Sequence, residues 1–178
     1  FTGSNFVMAV GMFQKKVTIL DAAAVWAVCW LGNLTGSILL AGMYTLTGLC
    51  SGSVEMLLAE TTLTKMTVAP GELFMRAVLC NILVCLAVWC GMKMKSESGK
   101  LIMVFWCLIT FFTAGFEHSV ANMSTMMIGL MNPGQCDIGI SGYVYNLAVA
   151  TIGNMAGGIL FMAVPYFLIA KEKVTGKH

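Results

Sequence analysis

Charge is what this chain has least of. Only 10% of its 178 residues are Asp, Glu, Lys or Arg, against about 25% in soluble domains. With 58% hydrophobic residues and a mean hydropathy of +0.86, a soluble domain is excluded and an integral membrane protein is indicated. The apolar segments are too long for the alternating strands of about 10 residues that build a barrel, so the fold class is all-α. A net charge of +2 with no basic cluster excludes nucleic-acid binding. The seven cysteines, at positions 29, 50, 80, 85, 90, 107 and 136, form no C-x-x-C pair. Most lie inside apolar spans and read as small packing residues. Only Cys50 and Cys136 sit near span ends, where a disulfide is conceivable. No cofactor or metal motif is present. Apart from Glu117/His118 there is no nucleophile–base pair, which argues against an enzyme.

In place of charge there are apolar segments of helical length. Phe6 to Phe13 is shorter than the roughly 20 residues of a spanning helix and reads as a half-helix ended by Gln14-Lys15-Lys16. Asp21 offers an N-cap to a full span from Ala22 to near Leu49. Ser51 to Gly71, with Glu55, Glu60, Lys65 and Pro70-Gly71, reads as a loop holding at most one short amphipathic turn. Glu72 to Gly91 is the next span, entered through Arg76 and left at Lys93 and Lys95. Leu101 to Met131 is too long for one straight crossing. Asn132-Pro133-Gly134-Gln135 is a turn, and Gly142 to Ala170 is the last span, with Pro165 near its end. The chain opens on Phe1 without an initiator Met or a signal-peptide pattern, so further N-terminal transmembrane material is expected before it.

Alternating crossings put Lys15/Lys16, Lys93/Lys95/Lys100 and Lys171/Lys173/Lys177 on one side. Glu55, Glu60, Lys65, Glu72, Arg76 and Asp137 fall on the other. Lysine excess marks the cytoplasmic face, so a multi-pass protein of the cell membrane with a cytoplasmic C-terminus is expected.

The stretch Ala114-Gly115-Phe116-Glu117-His118-Ser119-Val120-Ala121-Asn122-Met123 places an acid, an imidazole, a hydroxyl and a carboxamide inside the Leu101–Met131 run. Ionisable groups at membrane depth line a pathway or a buried contact, and a helix break is tolerated there only where the freed backbone faces protein or water. The reading is a helix broken at Gly115–Ser119, with a second half-helix following. An internal repeat supports it: Gly32-Asn33-Leu34-Thr35-Gly36 matches Gly153-Asn154-Met155-Ala156-Gly157, each following a half-helix by a comparable distance. Three intervening crossings make the second unit inverted, an arrangement of transporters and channels with paired broken helices. The small residues serve close helix packing, whereas Asn33 and Asn154 either pack likewise or hydrogen-bond the freed backbone of the breaks.

These residues resemble the formate/nitrite transporter family of anion channels. The resemblance is carried by Phe1-Thr2-Gly3-Ser4-Asn5, Gly115-Phe116-Glu117-His118-Ser119-Val120-Ala121-Asn122-Met123, Lys65, Cys80-Asn81 and Ile152-Gly153-Asn154. It implies an aquaporin-like helical bundle with inverted repeats and two broken helices, one pore per protomer, and a homopentamer in the lipid bilayer. Residues 1–178 would form a single channel domain lacking the family's first helix and the leading half of its second. Thr2 would face the pore and bond an anion or hold His118, the central pore residue, which shares or donates a proton. Lys65 would draw anions in, Asn81 would lie near it, and Phe111 would form an apolar constriction. Glu117 and Asn122 would brace the break.

Each residue also has a plainer reading. The Glu–His–Asn group also reads, less readily given the repeat, as a buried structural cluster, Lys65 as a solvated loop lysine, and Phe111 and Phe112 as packing or lipid contacts. Met123, Met126, Met127 and Met131 follow helical spacing, but methionine fills gaps in apolar helices and no soft-metal ligand set accompanies them. The function expected is a channel or transporter for small monovalent anions of weak acids: hydrosulfide, nitrite or formate. The alternative is an aquaporin-like channel for water or small neutral solutes.

Overall fold

The computed structural model describes residues 1–175, with side chains through Ala170. The described residues form helices α1 (Thr2–Phe13), α2 (Ile19–Leu46), α3 (Ser53–Thr67), α4 (Pro70–Lys93), α5 (Glu97–Thr113), α6 (Ser119–Met131) and α7 (Ile140–Ala156). A π-helical stretch, Gly157–Ala163, joins α7 to α8 (Val164–Thr175). Three helical segments are long and apolar enough to cross a membrane: Ile19–Leu46, Pro70–Lys93 and Ile140–Ala170. The tail residues Lys171, Lys173 and Lys177 lie outside the described side chains.

Local chemistry sets the helix ends. Thr18, not Asp21, caps α2. Its hydroxyl accepts from the Asp21 N–H at 3.1 Å while the Asp21 carboxylate accepts from the Thr18 N–H at 3.2 Å, a reciprocal capping box. Pro70 occupies the first turn of α4, where its missing N–H leaves no bond unmade. Gly115, at φ +69°, makes the break after α5, a left-handed turn in which a side chain would be strained.

The segment 53–67 departs from the expected loop: it is a 15-residue helix. Its three charges suggested a loop, but between Ser53 and Thr67 there is neither Gly nor Pro. The buried residues Ala59, Thr62 and Met66 follow an i, i+3, i+7 spacing that gives the helix one packing face. That face lies on α6 and α7, where Thr62 meets Gly129 and Met66 meets Gly142. Thr64 and Thr67 return their hydroxyls to the Glu60 and Leu63 carbonyls at 2.9 Å each, which hides polarity on the outer face.

The two half-helices run in opposite directions from a common centre. The start of α1 meets the start of α6 through Thr2 and His118. The end of α1 lies beside α8, with the Phe13 and Phe167 rings 5.5 Å apart. The end of α6 lies beside the end of α2, where the Asn132 amide donates to Thr45 Oγ1 at 2.8 Å. Each half-helix thus packs on the long helix that follows the other, α6 on α2 and α1 on the π-helical stretch, as an inverted repeat requires. Lys93 at the end of α4 sits 5.7 Å from the Tyr166 ring centre. Lys15, Lys16 and Lys93 therefore gather at one end of the bundle, while Glu55 approaches Gly134 at the other.

Helices α4 and α7 pack at backbone contact. A Cβ on Gly153 would lie 2.7 Å from the Phe74 carbonyl oxygen, and one on Gly157 would collide with that of Val78. Gly32 and Gly36, their counterparts on α2, have open space beside them. Gly157→Ala is expected to destabilise by about 1–3 kcal/mol through overpacking, whereas Gly36→Ala is expected to stay within about 0.5 kcal/mol of the parent or to gain helix propensity. Thermal unfolding in detergent checks this; equal losses at both positions would contradict the packing.

Candidate functional site

The break between α5 and α6 is built from backbone that no helix satisfies. In a buried setting each such group needs a partner, and one side chain supplies several. Asn154, fully buried on α7, accepts the Ser119 N–H at 2.9 Å through Oδ1. Its amide donates to the Ala77 carbonyl at 2.8 Å and the Glu117 carbonyl at 3.0 Å. The start of α1 is held by another amide. Asn81, also fully buried, donates to the Thr2 carbonyl at 3.2 Å and the Asn154 carbonyl at 2.5 Å.

His118 is the N-cap of α6. Its Nδ1 accepts the Ala121 N–H at 3.0 Å, and its Nε2 lies 3.1 Å from Thr2 Oγ1. Because Nδ1 is an acceptor, the neutral ring carries its proton on Nε2 and donates it to the Thr2 hydroxyl. That leaves the Thr2 O–H free to donate onward. Phe111 stacks on the imidazole, with ring centres 5.5 Å apart and planes within 17°. It is buried, while Phe112 is exposed. Two helix N-termini, each carrying roughly half a positive charge, therefore converge on a hydroxyl and an imidazole.

Glu117 is buried and paired. Lys65 Nζ reaches both of its carboxylate oxygens at 3.0 Å, with side-chain exposures of 21% for Lys65 and 4% for Glu117. The Asn122 amide donates to Glu117 Oε2 at 2.5 Å and to Asn146 Oδ1 at 2.9 Å, and the Asn146 amide donates to the Lys65 carbonyl at 2.8 Å. The four side chains close a ring on Lys65 itself.

The structure thus brings Thr2, His118 and Phe111 together, and Lys65, Glu117 and Asn122 beside them. Three expectations are refined. Lys65 is not a free lysine, because a buried carboxylate requires its countercharge. Asn81 makes no hydrogen bond to Lys65 among the described residues; fully buried, it donates to the Thr2 carbonyl instead. Asn33 is half-buried and makes no hydrogen bond to either break among the described residues. The contacts Ser37–Ser124 and Thr45–Asn132 share one register that sets Asn33 beside Val120, past the break. Asn146 was missed by sequence reasoning. Its signal was a second carboxamide in the same apolar span as Asn154, two turns away.

The comparisons with known proteins agree with this geometry. A family model described as formate/nitrite transporter matches residues 1–168. The chain belongs to the formate/nitrite transporter family. It is 38% identical over 174 residues to the uncharacterized transporter YwcJ of Bacillus subtilis, covering 97% of this chain and 68% of that one. It is 32% identical over 171 residues to the nitrite transporter NirC of Salmonella typhimurium, covering 94% of this chain and 62% of NirC. A solved FNT family ion channel superposes with a TM-score of 0.86 at 31% identity, over 94% of this chain and 68% of that structure. A pentameric formate channel with formate bound gives 0.75 at 29%, over 84% and 67%. The chain spans roughly two thirds of the length of these relatives, from 62% to 68%. As a member of this family it is an all-helical membrane protein of transport, not an enzyme.

Asn154→Leu leaves the Ser119 N–H and the Glu117 carbonyl without this partner, at about 1–3 kcal/mol for each buried group. It is expected to lose at least about 2 kcal/mol of stability on that basis. Asn33→Leu is expected to stay within about 0.5 kcal/mol of the parent. Thermal unfolding of the two variants side by side checks the assignment of the brace.

Proposed function

We propose that this chain conducts small monovalent anions of weak acids across a membrane, with hydrosulfide, nitrite and formate as the candidates. The observation that carries the proposal is the contact of Thr2 Oγ1 with His118 Nε2 at 3.1 Å between two opposed half-helix N-termini. A small anion entering an apolar bilayer core loses its hydration. Two helix N-termini and a hydroxyl with a free O–H replace part of it. The names of the relatives, a nitrite transporter and a formate channel, support the substrate class. The pentameric formate channel supports a homopentamer of this chain. The lysine-rich end faces the cytoplasm in this proposal, following the charge rule.

The role of His118 in this proposal is to share a proton rather than to give one up. Its Nδ1 is committed to the Ala121 N–H, so an imidazolium at this position breaks the cap of α6. The neutral ring polarises Thr2, and Thr2 donates to the anion. Lys65 adds attraction only to the extent that Glu117 leaves its charge uncompensated. Phe111, stacked on the ring, keeps the imidazole oriented and narrows the path. The alternative, a path for water or neutral solutes, predicts flux without charge selection.

The test is flux into proteoliposomes of formate, nitrite, hydrosulfide and chloride at two pH values. Weak-acid anions are expected to lead chloride and uncharged solutes at both pH values. A ranking led by chloride or by uncharged solutes would sink the proposal. His118→Asn is expected to lower flux at both pH values by a similar factor. A loss confined to the lower pH would instead make His118 a net proton donor. Thr2→Val, which removes the hydroxyl at nearly constant volume, is expected to reduce flux while Thr2→Ser retains it.

A further inference from the structure

We infer that the lysine-rich end of the bundle carries a binding site for an anionic phospholipid, separate from the Thr2–His118 path. A cavity of about 430 Å³ lies between the ends of α4 and α8, lined by Trp89, Lys93, Tyr166, Ile169 and Ala170. Lys93 supplies the cation, its Nζ 5.7 Å from the Tyr166 ring centre. The Trp89 indole N–H is buried without a partner among the described residues. The outer wall is apolar and open to the side of the bundle, with Leu168 and Ile169 more than half exposed. One cation on apolar walls at the end of spanning helices suits a phosphate with its acyl chains. Trp, Tyr and Lys are the side chains that favour the headgroup level.

Charge selects the occupant. The same end carries Lys15, Lys16, Lys93, Lys95 and Lys100 against two described acids, Asp21 and Glu97, and Glu97 is paired with Lys100 at 2.7 Å. A second copy of the chain, docked here with the same end of the bundle, would set lysine against lysine. A free phosphate would find a single lysine and mostly hydrocarbon. An anionic lipid satisfies both the charge and the apolar wall, and basic pockets between spanning helices on the cytoplasmic side are where such headgroups bind.

The experiment reconstitutes the full protein in phosphatidylcholine vesicles containing either dibrominated phosphatidylglycerol or dibrominated phosphatidylcholine, and reads tryptophan quenching. The wild type is expected to prefer the brominated phosphatidylglycerol about fivefold, the size expected of one lysine at an anionic surface. Lys93→Gln is expected to abolish that preference, Lys93→Arg to keep it, and Trp89→Phe to remove the excess quenching, leaving that from Trp26, Trp30 and Trp106. Equal quenching by the two lipids in the wild type would overturn the inference, as would an unchanged preference in Lys93→Gln. Loss of the preference in a Lys15→Gln/Lys16→Gln double variant but not in Lys93→Gln would assign it to diffuse surface charge and overturn it too. Displacement by inorganic phosphate, but not by chloride at matched ionic strength, would make the ligand a free phosphate rather than a lipid.

Discussion

Everything at the centre of this fold depends on satisfying the backbone groups that the break between α5 and α6 leaves unpaired where water is scarce. A buried amide or carbonyl without a partner is destabilising by about 1–3 kcal/mol, so a break with several such groups is untenable unless neighbours supply bonds in fixed positions. Asn154 does this for the Ser119 N–H and the Glu117 carbonyl, while its bond to the Ala77 carbonyl and those of Asn81 to the Thr2 and Asn154 carbonyls tie the break to α4 and α1. Neither needs to touch a permeating ion. Their work is to hold Thr2 and His118 at a distance where a hydroxyl and an imidazole share one proton.

Charge is handled with equal economy. Glu117 is a carboxylate in a buried place, an arrangement that holds only with a countercharge and further hydrogen bonds. Lys65 gives the first, and Asn122 gives one of the second. The pair is close to neutral as a unit. Positive potential beside Thr2 therefore comes chiefly from the two helix N-termini, which carry no proton to lose and do not titrate. Under the proposed function such a site attracts an anion without holding it as an ion pair would, a useful property where the ion must also leave.

How far the sequence discloses this follows from what kind of signal each part leaves. The Gly115 break and the 132–135 turn are written in residue types whose backbone preferences are strong, and each stands where the sequence places it, whereas the half-helix before Lys15 begins at Thr2 rather than at Phe6, so Thr2 lies in a helix and not on a loop. Helix α3 was hidden because its charged residues read as loop while its buried stripe is short and built of Ala, Thr and Met. The Lys65–Glu117 pair was hidden because its members are 52 positions apart, and no local pattern couples them. Asn146 left only a lone amide in an apolar span. Membership of the family was legible from the Glu–His motif and the Phe-Thr-Gly-Ser-Asn segment.

The internal repeat shows why a matched motif does not carry a matched role. Gly32-Asn33 and Gly153-Asn154 are equivalent by sequence, and the helices that bear them run in opposite directions around the same centre. Backbone pseudo-symmetry would give each half-helix start an asparagine from its own repeat. At the second break it does, through Asn154. At the first, Asn81 from α4 holds Thr2 instead, and Asn33 is left half-buried on a helix whose glycines meet open space. Once an intervening helix supplies the bond, nothing ties the repeat's own asparagine to the break. The symmetry that survives is that of helix direction and of the converging N-termini, because those create the local potential. The side chains that steady them are free to come from whichever helix is closest.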